Sequence, residues 1–311
     1  MLMVEWKSSE ISQLLRTRAS NVVEGDDSED KRFFKIGKGN IAFAVFLEPS
    51  AEADPNMTFG ERVIDGFIQA FSQKPTMVHT EIVIPPFMDP KASKIHFATY
   101  LGSHADYQNE YDKISGVDFY LIRHGHRWRC LPVFGEDAVG LLREACDKNV
   151  GSPYSLMKYP TSSHYFRKYS WIWKDRPKYS GHCATLTARV LKQAGICCGL
   201  EHSPPWYSPS SLYSAIQTDL QGRLDEDRLN DLKSLQPEEC QEAIETILRG
   251  PLSARSIQEL GHDRCVDAIR ELSYRVVKAA VSDDISTSER KNAERELGDA
   301  VFKWCLLAQG T

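Results

Sequence analysis

No stretch of the chain reaches the ~18–20 apolar residues that a bilayer-spanning helix needs. The start, Met1-Leu2-Met3-Val4-Glu5-Trp6-Lys7, also lacks the apolar run of a secretory signal. A cytoplasmic protein with no transmembrane anchor is therefore expected. Positive charge is in short supply too: 38 Lys and Arg stand against 43 Asp and Glu, for a formal charge of -5. With no broad basic surface to track phosphates, no nucleic-acid partner is expected. None of the eight cysteines (Cys130, Cys146, Cys183, Cys197, Cys198, Cys240, Cys265, Cys305) forms a Cys-x-x-Cys pair, which argues against structural zinc. Their scatter through helical-looking segments suits reduced thiols better than a disulfide framework. There is no internal repeat and no low-complexity tract.

What is present is enough for a sizeable core: 311 residues, 41% of them apolar and 10% aromatic. Residues 21–32 are acidic and small polar, and read as a loop between a short N-terminal helix and the first strand. Ile41-Ala42-Phe43-Ala44-Val45-Phe46-Leu47 is apolar throughout, as in a central strand covered on both faces. Thr58-Phe59-Gly60-Glu61 has the form of a capping box, opening a helix that stops before Pro75. Three β-type runs follow, at 78–84, 94–101 and 117–123, separated by turn-rich segments, and predict an antiparallel meander. A helix over 136–148 ends at Gly151-Ser152-Pro153. An aromatic loop follows, containing Tyr154, Tyr159, Tyr165, Phe166, Tyr169, Trp171 and Trp173, which either walls an apolar groove or covers the core. A second helix starts near Ser180 and runs through Cys183 to Gly195, a natural residue just past a helix end. Beyond Pro209 only helical patterns remain, including 263–280 and a helix opened by the capping box of Ser286 and Glu289.

Cys183 is the most informative position. A helix N-terminus offers unsatisfied N–H groups and a positive dipole end, which favour thiolate over thiol and can hold an oxyanion. A thiolate attacking a carbonyl also needs a base, and His79 stands in a β-run where a rigid backbone can aim it. Taken singly, each has an ordinary reading: a helical cysteine as an inert small hydrophobe, a strand histidine as a satisfied packing residue. Tyr179, shortly before the thiol, is a candidate oxyanion donor or a packing tyrosine. His182, adjacent to Cys183, is expected to point to a different side of the helix and takes no role as base. His124-Gly125-His126 has a chelating spacing but lacks an obvious third ligand, so no metal and no cofactor are expected.

The order of segments is similar to one known family. The apolar strand with Gly39 just before it is followed by His79-Thr80-Glu81-Ile82-Val83-Ile84 and a second strand at 95–101. Gly151-Ser152-Pro153-Tyr154 comes next, and then Ser180-Gly181-His182-Cys183 opening a helix. This succession resembles the circularly permuted NlpC-type papain-like superfamily, which includes lecithin:retinol acyltransferases and bacterial and poxviral relatives. Pro209-Ser210-Ser211-Leu212-Tyr213 further resembles the segment after the Cys helix in bacterial members. The likeness spans about residues 36–216, and only the ordered combination is specific.

The resemblance implies Cys183 as nucleophile, His79 as base and His96 as the residue that orients His79, with Thr99 as the alternative. Tyr179, and Tyr154 of the turn, become weaker candidates for contact with substrate or oxyanion. The expected fold is α+β: a papain-like antiparallel sheet packed on the Cys183 helix in a domain over 1–216, with a helical extension over 217–311 lying beside the sheet. The expected activity is that of a thiol hydrolase acting on an amide or ester carbonyl, with a peptide, amide or lipid ester as substrate. A lipid-directed acyltransferase or phospholipase is one alternative. A non-catalytic binding module of the same fold, its helical extension holding a protein partner, is the other.

Overall fold

The computed structural model describes residues 41–49, 76–84, 99–104, 116–120, 128–135, 137–150, 152, 182–196, 200, 204–223, 237–249 and 262–307, with Gly66 and Gln69. The 58–61 capping box and all but Gly66 and Gln69 of its helix lie outside this set, as do the 21–32 loop and the aromatic loop. The structure is mixed α+β. Five strands, β1 (Ile41–Leu47), β2 (His79–Ile84), β3 (Thr99–His104), β4 (Gly116–Tyr120) and β5 (Trp128–Phe134), form one sheet in the order β4-β3-β2-β1-β5. Every neighbouring pair is antiparallel.

β1 lies inside the sheet because nothing in it asks for water. Its residues from Ile41 to Phe46 are fully buried, and each large apolar side chain withdrawn this way contributes about 1.5–3 kcal/mol. The register then sorts the neighbours. Leu47 lies opposite both His79 and Trp128, so these three share one face; Phe46 lies opposite Thr80 and Arg129, which share the other. β5 carries Pro132 within the strand, a residue tolerated there because β5 is an edge.

The helices are α1 (Ala138–Asp147), α2 (Cys183–Gln193), α3 (Pro209–Arg223), α4 (Pro237–Arg249), α5 (His262–Val281) and α6 (Thr287–Leu307), with a 3-10 turn at Pro204–Trp206. α2 packs on β2 and β3. It ends where Gly195 takes φ +67°, with Ile196 N–H bonding Leu191 C=O at 2.9 Å and Gly195 N–H bonding Lys192 C=O at 3.2 Å. That double bond pattern closes the helix and needs a residue at ease with positive φ. α6 starts on a reciprocal capping box, Glu289 N–H to Ser286 Oγ at 3.2 Å and Ser286 N–H to Glu289 Oε2 at 3.0 Å.

The boundary expected at residue 217 falls inside α3, and the helices beyond it share a core with the sheet. Tyr213 meets Phe46 edge to face at 5.3 Å. Buried Arg129 of β5 reaches Glu294 of α6 at 2.6 Å, and Tyr213 donates to the same carboxylate at 2.7 Å. Gln217 adds bonds to Tyr213 at 2.6 Å and to Glu294 at 3.0 Å. Glu48, just past β1, takes Lys291 of α6 at 3.0 Å and also pairs with Arg295. α3 and α6 therefore cover the Phe46 and Arg129 face of the sheet rather than standing beside it. The physical reason is the apolar character of β1 on both faces: once α2 lies on one side, the other still needs a cover.

Candidate active site

The sulfur is set by the start of α2. His182 is the N-cap residue, extended at φ -98° and ψ 178°, and its carbonyl accepts the first helical bond from Leu186 N–H at 3.0 Å. Cys183 is thus the first residue of the helix, where backbone N–H groups and the dipole favour negative charge. It is buried, with 2% of its surface exposed.

His79 opens β2, the strand on which α2 lies, and its imidazole is close enough to the Cys183 sulfur for the two to shift each other's proton affinity. Its Nε2 is 2.8 Å from Glu81 Oε1, which leaves Nδ1 for the sulfur. Glu81 is buried and sits two residues along the same strand, so both side chains project from one face. Trp128, across Leu47 on β5, tilts its ring toward the imidazole at a centroid distance of 6.3 Å. Thr187 of α2 contributes a hydroxyl at 3.5 Å from Thr80 C=O, one turn along the helix from the sulfur.

The electrostatics favour separated charges. Burial alone would push the Cys183 thiol up, but the nearby His79 imidazole overrides it and brings it down to about 5. Burial alone would likewise lower His79, and the adjacent sulfur together with Glu81 raises it to about 10. Between those values the pair is thiolate and imidazolium, the reactive form of a nucleophilic cysteine. Burial takes other thiols the opposite way: Cys265 rises to about 12 and Cys146 rises further. Cys130, Cys146, Cys183, Cys240 and Cys265 are all free thiols.

The structure thus brings Cys183 and His79 together. Two expectations need correction. The residue bonded to His79 is Glu81, not Thr99: Thr99 lies opposite Ile84, at the far end of β2, five strand residues or about 16 Å from His79. His182 is an N-cap residue in an extended conformation, so the helical wheel used to exclude it does not govern it. Its side chain is buried. His96, Tyr154, Tyr179 and the His124-Gly125-His126 segment lie outside the described residues. Glu81 could have been found in the sequence: in His79-Thr80-Glu81, once the strand is read, alternation alone places the carboxylate beside the imidazole.

Among the described residues no group of three or more His, Cys, Asp or Glu could hold a metal ion, and no helix is long and apolar enough to cross a membrane. No protein-family model, curated protein or solved structure matches the chain.

Proposed function

We propose that the protein is a cysteine-dependent hydrolase of papain-like mechanism, built in the circularly permuted NlpC-type arrangement and acting on an amide or ester carbonyl. One observation carries this reading: a single line runs from the buried Cys183 sulfur at a helix N-terminus through the half-buried His79 imidazole to the buried Glu81 carboxylate. A thiol that only fills space needs neither an imidazole nor a carboxylate behind it.

The chemistry follows from those positions. The Cys183 thiolate attacks the carbonyl carbon, and the electron pair moves to oxygen, where N–H groups at the start of α2 stabilise the oxyanion. The tetrahedral adduct collapses as Nδ1–H of His79 protonates the departing amine or alcohol, leaving a thioester on Cys183. His79, now neutral, removes a proton from water as it attacks the thioester, and collapse of that adduct expels the Cys183 thiolate beside the imidazolium as the acid product leaves, restoring the starting pair. Glu81 holds the imidazole through Nε2 in both steps and stabilises its charged form.

The test is acylation by a chromogenic p-nitrophenyl ester, with intact-mass and peptide analysis of the quenched protein. A burst of nitrophenolate with the acyl group on Cys183, lost in Cys183→Ser and slowed in His79→Ala, supports the assignment. Acyl groups spread over other thiols, or no burst at all, refute it.

A further inference from the structure

β2 is held unevenly along its length. From Ile82 to Ile84 it has a partner strand on each side, β1 and β3. From His79 to Glu81, the stretch that carries the base and its carboxylate, it pairs with β1 alone among the described residues, while β3 runs on against β4. A strand end with one ladder opens more readily than the middle of a sheet. Two helical side chains reach this stretch instead. Thr187 Oγ1 of α2 lies 3.5 Å from Thr80 C=O, and Ser210 Oγ of α3 accepts Met77 N–H at 3.0 Å. The bond to Met77 is buried at both ends and joins two distant parts of the chain. Ser210 is free to make it because its neighbours start the helix: Ser208 N–H bonds Ser211 Oγ at 2.8 Å, and Ser211 N–H bonds Ser208 Oγ at 3.2 Å. One turn further on, Tyr213 ties α3 to Phe46 and Glu294.

We infer that Ser210 is a positioning residue for His79: by accepting the Met77 N–H two residues ahead of the imidazole, it fixes where the base stands relative to the Cys183 sulfur. Buried backbone N–H groups are nearly always paired. Without the Ser210 hydroxyl, the Met77 N–H has to find another acceptor, and the entry to β2 moves with it. The consequence is chemical as well as structural, since a displacement of about 1 Å in a reacting group can cost on the order of 10²-fold in rate. The run Pro209-Ser210-Ser211-Leu212-Tyr213 then divides its work. Ser211 closes the start of the helix, Leu212 and Tyr213 bury its face, and Ser210 alone reaches the strand that bears the base. The role rests on the thiol chemistry proposed above, because a base needs placing only where there is a proton to move.

The experiment compares wild type with Ser210→Ala, Ser210→Thr and Ser211→Ala, in nitrophenyl ester kinetics across pH and in urea unfolding. Ser210→Ala is expected to lower kcat about tenfold with KM little changed, because the base is displaced and the substrate is not. The titrating groups beside His79 are Cys183 on α2 and Glu81 on β2. A looser pairing of His79 with Cys183 should therefore narrow the pH–rate bell by about half a unit on each side. Ser211→Ala loses the bonds to Ser208 and weakens the same helix start. It should lose urea stability while keeping the wild-type kcat and bell. Ser210→Thr retains an acceptor oxygen and should return kcat to within about threefold of wild type. Equal losses of kcat in Ser210→Ala and Ser211→Ala, an unmoved bell in Ser210→Ala, or no recovery in Ser210→Thr overturns the inference. If Ser210→Ala fails to fold by circular dichroism, Ser210→Cys, close in size and a weaker acceptor, decides: the proposal requires its bell to be narrower than that of Ser210→Thr. Failure of the enzyme reading looks different, as absent turnover in wild type itself. The hold on His79 is then read from the midpoint of Cys183 alkylation by iodoacetamide, which Ser210→Ala should raise by about half a unit and Ser211→Ala should leave in place; a midpoint unmoved by Ser210→Ala overturns the inference there too.

Discussion

Nε2 of His79 and Oε1 of Glu81 stand 2.8 Å apart on one strand. The carboxylate bonded to the imidazole therefore comes from its own element and needs no third segment to deliver it. Glu81→Gln should keep the contact while removing the charge that supports the imidazolium. The expected result is a fall in kcat of about 10²–10³, smaller than the loss of a triad carboxylate at its most severe, with KM little changed. Steady-state kinetics on the nitrophenyl ester would measure it, and wild-type kcat would show that Glu81 is a bystander.

The pH profile follows from the two shifts. The Cys183 thiol is lowered from 9.0 to about 5, so thiolate is present above about 5 and is lost as pH falls through it. His79 is raised from 6.5 to about 10, so the imidazolium persists until pH rises through about 10. Turnover should trace a bell between those limits. Stability should behave otherwise. From pH 6.5 to 9.0 the folded and unfolded pairs each hold one proton, so the pair adds no slope. Below 6.5 the unfolded chain binds more protons and stability falls with pH; above 9.0 it binds fewer and stability falls as pH rises. Urea midpoints across pH 5–10 in wild type and Cys183→Ala/His79→Ala would expose the difference.

Glu294 is fully buried and takes both Arg129 and Tyr213. Burial pushes its carboxyl up, against the pull of Arg129 and of the hydrogen bonds. Glu294→Ala leaves the buried Arg129 guanidinium only the longer pair with Glu48, at 3.7 Å, which should cost about 3–5 kcal/mol. Tyr213→Phe removes the hydroxyl's bonds to Glu294, Gln217 and Arg129 but keeps the ring against Phe46 and leaves the ion pair in place, so a smaller loss of about 1–3 kcal/mol is expected. Denaturant unfolding orders the two, and the reverse order would mean that the network is wet.

Gly298 of α6 sits against β5 so closely that a Cβ there would meet the Trp128 carbonyl oxygen at 2.6 Å. Backbone cannot step aside as a side-chain tip can. Gly298→Ala should therefore lift α6 from the edge strand, costing about 1–3 kcal/mol, and disturb the tryptophan beside His79. A matched loss in urea stability and in acylation rate is expected; an unchanged rate would separate Trp128 from the site.

Truncation tests the continuity of the core. A chain ending at residue 216 cuts α3 in two and removes Glu294, leaving buried Arg129 without that carboxylate. It should lack a cooperative thermal transition and near-UV circular dichroism. A truncated chain that unfolds cooperatively would restore a separable extension.

How much of this was legible depends on the kind of signal. β1 can be read because seven apolar residues in a row suit only a strand covered twice. α6 can be read at its start because Ser286 and Glu289 cap each other locally. β5 is passed over because Pro132, Arg129 and Cys130 break the usual strand composition, and their reasons are tertiary: an edge place for the proline, a buried carboxylate for the arginine. The thiol and its base are legible through helix onset and strand placement. Glu81 is legible in principle through alternation, whereas His182 is not, since helical geometry does not govern a cap residue. The 217 boundary misleads because a change from strands to helices marks composition, and composition says nothing about which surface the helices cover.

Strand alternation has one further consequence for His79 and Glu81. A one-residue slip of β2 against β1 would turn both side chains to the opposite face together. A misregistered molecule then loses base and carboxylate at a stroke, and its Cys183 loses the imidazole facing it from the sheet. Errors in assembly are silent in this arrangement: a molecule has the reactive pair whole, or it carries a sluggish thiol.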